Sequence, residues 1–308
     1  MDRWAWAAAA AASAVLAGSA LAQQAGAPAA PNFAAVQIKT TDLGHRTWML
    51  EGQGGNMTVA AGDDGVILVD SEFAPLHDKI KAAIAAVSDK PVRYVINTHY
   101  HGDHTGGDQA FWLEGATVTA HENVRKRLAE GVTNALTGVK TAPVAAGGQP
   151  GRTYSGMATT VSVKGRTARL MHMPAAHTDG DTAVWFPDAD VLATGDIVST
   201  GSRYPNIDVA AGGNIKGIIA AVDIYLRRSD ERTKIVPGHG PLMTRDELEA
   251  YRATLAEARD RVARLMKDGK SEDEVVAAKP LVDIQAKVGA SDMASANFER
   301  LIYRSLKS

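Results

Sequence analysis

The chain has no cysteine among its 308 residues. Its fold therefore rests on the apolar core alone, and thiolate is removed from the list of metal ligands, leaving nitrogen and oxygen. An excess of one charge is also lacking. The 33 basic residues stand against 35 acidic ones, for a formal net charge of −2, and no basic stripe is present. Nucleic acid is thereby excluded as an expected partner. Long apolar runs are confined to the start. Residues 4–17 are alanine-rich and apolar, Arg3 precedes them, and small residues follow, ending in Ala20-Leu21-Ala22. This layout reads as a secretory signal peptide over 1–22, with cleavage after Ala22. The run is short for a bilayer span. The expectation is a periplasmic protein with no membrane attachment after cleavage. Residues 23–32, rich in Ala, Pro and Gly, read as a flexible leader.

What the chain does have is concentrated at 97–104, Asn-Thr-His-Tyr-His-Gly-Asp-His. Three imidazoles and a carboxylate fall within six residues. Such a cluster is costly unless a cation shares it, and neutral imidazole and carboxylate are good ligands for zinc and similar ions. The stretch follows an apolar run at 91–96 that reads as a buried strand, so the histidines fall just past a strand end, where open α/β sheets place their sites. His177, Asp196 and His239 repeat the pattern. Each sits beside or near glycine at the C-terminal lip of an expected strand (168–171, 191–194 and 233–236). Glycine lets the backbone turn sharply and lets a metal come close.

Further strands are expected at 36–40, 47–52, 57–61, 66–70, 117–120, 159–163 and 182–186. Helices are expected at 76–87, 121–128 and 215–226, and residues 244–308 read as mostly helical. The stretch 131–156, irregular and rich in Gly, Ala and Pro, reads as a surface insertion. The strand-then-helix rhythm of both halves fits facing sheets with helices outside. His45, His77, His121 and His172 read as ordinary core or surface histidines. Thr98 and Tyr100 are left unassigned, and Asp179 and Asp181 are candidates to orient the ligating imidazoles.

The motif His-x-His-x-Asp-His at His99, His101, Asp103 and His104, followed in order by His177, Asp196 and His239, resembles that of the metallo-β-lactamase superfamily over about 36–242. The resemblance implies an α/β four-layer αβ/βα sandwich at 33–243 with a C-terminal helical extension at 244–308 packed on it. It implies two Zn2+ per chain. His99, His101 and His177 would hold one, Asp103, His104 and His239 the other, and Asp196 would bridge them. The shared chemistry is hydrolysis, a metal-bound hydroxide attacking a carbonyl with Asp103 orienting it.

The stretch 177–187 looks like the corresponding segment of zinc β-lactamases of the cysteine-ligand subclass. Asp196 stands where that subclass has its thiolate, His104 where it has arginine, and Ser199 where it has the lysine that anchors the drug's carboxylate. Arg203 is a substitute anchor or a surface residue, and Tyr204 beside it is unassigned. Asp196 and His104 instead match glyoxalase II-like thioesterases and zinc lactonases. Export favours a β-lactam or related amide or ester as the small-molecule substrate. A lactone or thioester is the alternative, and a mononuclear iron sulfur or oxygen redox enzyme is a further one. The C-terminal helices offer a homodimer contact or a wall of the substrate site.

Overall fold

The structure, a computed structural model, describes residues 32–307. The expected signal peptide at 1–22 and the leader, except for Asn32, lie outside the described residues. The first sheet runs β1 (Lys39–Gly44), β2 (Thr47–Glu51), β3 (Met57–Ala61), β4 (Val66–Val69), β5 (Val92–Ile96), β6 (Thr117–His121) and β7 (Arg152–Tyr154), in that spatial order. It is antiparallel from β1 to β4 and parallel from β4 to β7. The second sheet contains β8 (Ala158–Val163), β9 (Arg166–His172), β10 (Thr182–Phe186), β11 (Val191–Ala193) and β12 (Lys234–Val236), in the order β12-β11-β10-β9-β8. Only β11 and β12 pair in parallel there.

The period of two along a strand explains the layering. On β4, Ile67 and Val69 join one core while Val66 and Leu68 join another, and β3 splits Ala60 from Met57 and Val59 in the same way. The shared core between the sheets takes Ile67, Val69 and Ile96 from one side and Leu170, Val184, Phe186 and Val191 from the other. The outer face of the first sheet is covered by α1 (His77–Ala85) and α3 (Asp108–Leu113), through Ile80, Ile84 and Phe111. The short α2 (Gly102–Thr105) and α4 (Glu122–Glu130) lie at its parallel end. The outer face of the second sheet packs Ala183, Leu192 and Ile235 against α5 (Ile215–Arg228), α6 (Arg245–Lys267), α7 (Glu272–Ala277), α8 (Val282–Val288) and α9 (Asp292–Lys307). Strands covered on both faces carry near-continuous apolar runs, which is why 57–61 and 66–69 show little alternation in the sequence. Helix α6 starts where a capping box forms: Thr244 accepts from the Glu247 N–H, and the Glu247 side chain returns to Thr244.

The structure differs from expectation in three places. The first strand begins at Lys39, because Val36 and Ile38 pack against the outer core ahead of it. The stretch 131–156 is irregular up to Gly151, but Arg152–Tyr154 pairs with β6 as the edge of the first sheet; three residues are too few for a visible period. Helix α2 forms within the histidine motif and α3 follows it, and both are too short, at four and six residues, for helical spacing to show.

Glu299 on α9 is 3 % exposed, and burial pushes its carboxyl up to about 7 although the Leu281 backbone N–H supports its charge. An acid whose folded value lies above its unfolded one loses stability as pH rises from the unfolded value to the folded one. Glu299→Gln is therefore expected to raise Tm by several degrees at pH 8 and to have little effect near pH 4.5, as read by thermal melts at the two pH values.

Candidate metal centre

The donor residues sit on loops at the C-terminal ends of strands. His99 to His104 follow β5, Asp196 follows β11 and His239 follows β12, while His177 lies in the loop from β9 to β10. Two loops press inward where only glycine fits. A Cβ at Gly55 would come within 2.1 Å of His104 Cε1, and one at Gly238 within 2.1 Å of Asp196 Oδ1. Asn56, next to Gly55, donates from its side-chain amide to the carbonyls of Pro237 (3.0 Å) and Gly240 (2.8 Å), and its backbone N–H donates to Gly238 O at 2.7 Å. The β2–β3 loop of one sheet thereby pins the His239 loop of the other.

All seven expected side chains converge, in two groups. His99, His101, His177 and Asp196 form one, and Asp103, His104 and His239 the other; within each group the donor atoms lie within 4.8 Å of one another. In the first group His101 Nδ1 is 3.1 Å from His99 Nε2 and 3.0 Å from His177 Nε2. In the second, His239 Nε2 is 3.4 Å from His104 Nε2 and 3.2 Å from Asp103 Oδ2. Asp196 stands between them. Its Oδ2 lies 3.9 Å from His99 Nε2 and 3.8 Å from His177 Nε2, and its Oδ1 lies 3.1 Å from His104 Nε2 and 3.4 Å from His239 Nε2.

The outward ring nitrogens decide the tautomers. His104 Nδ1 meets Asp70 Oδ2 at 2.8 Å, His177 Nδ1 meets the Asn206 carbonyl at 2.8 Å, and His101 Nε2 meets Asp208 Oδ2 at 3.0 Å. His99 Nδ1 meets Thr98 Oγ1 at 3.0 Å, and that hydroxyl donates to Asp70 Oδ2 at 2.8 Å. Each outer nitrogen thus faces an acceptor and carries the proton. The inner nitrogens of His99, His101 and His177 are aimed at one another, and that of His104 is aimed at Asp196 Oδ1 and His239 Nε2. Asp196 Oδ1 is buried with no hydrogen bond. Lone pairs of nitrogen and carboxylate facing each other at 3–4 Å are the donor set of a cation, so these residues fit a pair of metal ions.

The two groups differ in charge. Burial, and then the neighbouring imidazoles, lower His99 well below the usual histidine range and hold His177 at about 4. In the other group burial is outweighed: Asp196 and Asp70 raise His104, and Asp103 with Asp196 raises His239 to about 9. Burial opposes the charge of Asp103 and Asp196 as well, yet His239 and His104 hold Asp103 down at about 2, and His104 holds Asp196 well below the carboxylate range.

Several residues left open in the sequence acquire partners. Thr98 links His99 to Asp70, and Tyr100 donates to Asp208. Asp181 accepts the N–H groups of His177 and Thr178 and the Thr178 hydroxyl, so it shapes the His177 loop. Asp179 instead pairs with Arg127. Arg203 is exposed in a separate cleft shared with Tyr204. His45 is exposed in the β1–β2 turn, His77 packs on Phe111, and His121 and His172 stack on each other away from both groups. Asp70 and Asp208 were not anticipated. Asp70 follows a strand as the ligands do, and that signal was available; Asp208 lies in an irregular loop and gave none.

The fold and the paired donor groups define a metallohydrolase-type scaffold, two stacked sheets with a His/Asp centre at one edge. The model of the metallo-beta-lactamase superfamily matches residues 50–239, and the chain belongs to that superfamily. The 2,4-dinitroanisole O-demethylase subunit alpha of Nocardioides sp. (strain JS1661) is 31 % identical over 173 residues, 54 % of this chain and 48 % of that protein. The linear primary-alkylsulfatase of Pseudomonas sp. (strain ATCC 19151) is 24 % identical over 255 residues, 69 % of this chain and 47 % of that protein. The chain thus spans about half the length of these curated relatives. Among solved structures, the sec-alkylsulfatase Pisa1 from Pseudomonas sp. superposes with a TM-score of 0.64 at 19 % identity, covering 86 % of this chain and 50 % of that one. A metallo-beta-lactamase from Pontibacter korlensis gives 0.59 at 20 % identity, covering 71 % of this chain and 99 % of that one.

Ligating imidazoles must be neutral, so metal uptake displaces any proton they hold. Uptake is expected to displace no proton from His99 or His177 at pH 7, and at least one from the His104 group. The affinity of the second group then falls faster as pH drops below the raised histidine values. Calorimetric zinc titrations in buffers of different ionisation enthalpy measure both. Asp208→Ala is expected to weaken binding at the His99 group by about 10–100-fold, the usual effect of removing a ligand's hydrogen-bond partner, and equilibrium dialysis reads it.

Proposed function

We propose that this chain is a metal-dependent hydrolase with two zinc ions that cleaves the carbonyl bond of a small ester or amide, cyclic esters and β-lactams included. One observation carries the reading: the two oxygens of Asp196 face two separate sets of nitrogen and oxygen donors. In this reading His99, His101 and His177 with Asp196 Oδ2 hold one ion, and Asp103, His104 and His239 with Asp196 Oδ1 hold the other. Two such ions, when bound, supply Lewis acidity to the scissile group and acidify water near neutral pH.

The chain's own residues do the rest. Asp70, Asp208, the Thr98 hydroxyl and the Asn206 carbonyl keep the outer imidazole protons in place, so that His99, His104 and His177 present Nε2 inward and His101 presents Nδ1. Asp103 is the more open of the two carboxylates, its side chain 27 % exposed against 10 % for Asp196. Its ionised carboxylate aligns a water by accepting a hydrogen bond. Held down at about 2 by His239 and His104, it gives up any proton it gains readily, which suits delivery to a leaving alkoxide or amide. Among the described residues, Ser199 has its backbone paired with His239 and contributes no cation to the centre, and Arg203 belongs to another cleft. That weighs against a substrate that needs its carboxylate anchored and favours an ester or lactone over a β-lactam. The names of the O-demethylase and alkylsulfatase relatives extend the candidate bonds to aryl ethers and sulfate esters.

Protein purified without added metal is expected to carry two zinc ions per chain by elemental analysis; one iron would instead mark a redox enzyme. The zinc form is expected to hydrolyse a lactone or simple ester faster than nitrocefin, an alkyl sulfate, an aryl methyl ether or a phosphodiester. His101→Ala combined with Asp103→Ala should bring turnover to background while circular dichroism stays native. Retained hydrolysis by that double variant would defeat the scheme.

A further inference from the structure

A cavity of about 230 Å³ opens beside the metal centre, with His101 and Gly102 on its wall. At roughly 30 Å³ per water it has the room of about seven waters. A Cβ at Gly102 would meet nothing within 4 Å, so the backbone between His101 and Asp103 borders open space. The far wall is built by Leu128 of α4 and by Thr141, Ala142 and Val144 of the stretch that the sequence marked as an insertion. That stretch is tied down: Val144 N–H donates to Leu128 O at 2.8 Å, and Thr141 exchanges hydrogen bonds with the Val132 backbone.

The polar groups of this wall are already engaged. Arg127 forms a two-point pair with Asp179, its Nη2 to Oδ2 distance 2.6 Å and its Nε to Oδ1 distance 3.2 Å. Tyr100 donates its hydroxyl to Asp208, and Thr105 donates to His101 O at 3.1 Å. The hydroxyl of Thr141 is held by Val132. Gln109 is exposed. What remains to meet a ligand is the Leu128 side chain, the Val144 side chain, Ala142, the Tyr100 ring, glycine backbone and one uncharged polar group, the exposed Gln109 amide. Burying a charged group against such a wall leaves it unpaired, whereas burying an apolar group removes its surface from water.

We propose that this cavity binds a neutral, apolar acyl group of the substrate, and that the loop around Val144 is the element that sets its length. The proposal rests on the hydrolase reading for turnover but not for binding. The scissile carbonyl lies at His101, and the acyl chain runs away from the centre toward Leu128 and Val144. An acyl chain tipped with a carboxylate is rejected, because Asp179 already occupies Arg127.

The test uses the zinc-loaded protein and p-nitrophenyl esters from acetate to octanoate. In the unaltered protein kcat/KM is expected to rise about fourfold per methylene until the cavity is full, the gain appearing mainly in KM. Val144→Trp, from an exposed loop position, is expected to flatten that rise, while Val139→Trp, exposed in the same loop but outside the cavity, keeps it. A monoester of adipate should be at least tenfold poorer than the hexanoate ester. A second arm measures binding of 1-hexanol by calorimetry, which needs no turnover; binding is expected, and Val144→Trp is expected to abolish it. Turnover with no dependence on chain length and no hexanol binding overturns the cavity assignment and leaves the hydrolase reading intact. Preference for the adipate monoester overturns it as well. Hexanol binding lost in Val144→Trp, with no ester hydrolysed, supports the cavity and sinks the hydrolase reading.

Discussion

Ring nitrogens that face one another across about 3 Å govern this molecule. His99 Nε2, His101 Nδ1 and His177 Nε2 meet in one place, and His104 Nε2 and His239 Nε2 in another. The outer nitrogens of His99, His101, His104 and His177 are committed to Thr98, Asp208, Asp70 and the Asn206 carbonyl, so a change of tautomer in any of these four rings forfeits a hydrogen bond. A proton shared between two rings satisfies one pair at most. A cation satisfies all of them and also takes up the unpaired Asp196 Oδ1. The arrangement is best understood as one that the rest of the fold holds in readiness, at a cost that metal binding offsets.

Holding it requires strand ends from both sheets to be brought together and fixed. The parallel strands β4, β5, β11 and β12 all release their chains toward the same edge, which places Asp70, the histidine motif, Asp196 and His239 there. The sheets themselves meet through a largely apolar core, crossed by the Tyr154–Thr182 hydrogen bond, and apolar contact fixes distance more than register. Polar ties near the centre supply the remainder. Asn56 reaches from the first sheet to Pro237 and Gly240 of the second, and Gly55 lets its loop close on His104 without a side chain between. Any one of these lost would move His239 relative to His104, which is a larger disturbance for a donor set than for the surrounding core.

The centre is legible in the sequence because its donors obey a simple rule: a polar residue three positions past the end of an apolar strand, with glycine beside it or nearby. His99, Asp196 and His239 satisfy it, and the elements that deliver them lie within a few residues of expectation. Asp70 meets only part of it, directly after Val69 with no glycine beside it, and a lone aspartate after a strand also reads as a turn residue. Asp208 could not be found this way, because its position depends on a loop path that no local pattern encodes. The same limit applies to the segment 131–156. Its glycines and prolines announce irregular backbone, but pairing of Arg152–Tyr154 with β6 is a tertiary contact, and so is the wall that Thr141 and Val144 contribute beside His101.

Carboxyl groups around the centre divide into two populations according to their neighbours: Asp196 and Asp181 are both buried, yet they shift in opposite directions. Asp103, Asp196 and Asp208 are all disfavoured by burial, yet imidazole or phenol hydrogens beside them keep them ionised. Asp108 and Asp181 are also buried, with hydroxyl and amide donors for company, and burial pushes both up to about 8. Glu72, whose Oε1 has no hydrogen bond, is raised as well. Charge is therefore retained where an imidazole intervenes between carboxylate and centre, or where the carboxylate is itself a donor. Asp103, Asp196 and Asp208 thus bring negative charge to the donor groups. A neutral substrate enters such a site without adding to that charge. A substrate anion would have to find its counter-charge elsewhere, and the nearby Arg127 is already taken by Asp179.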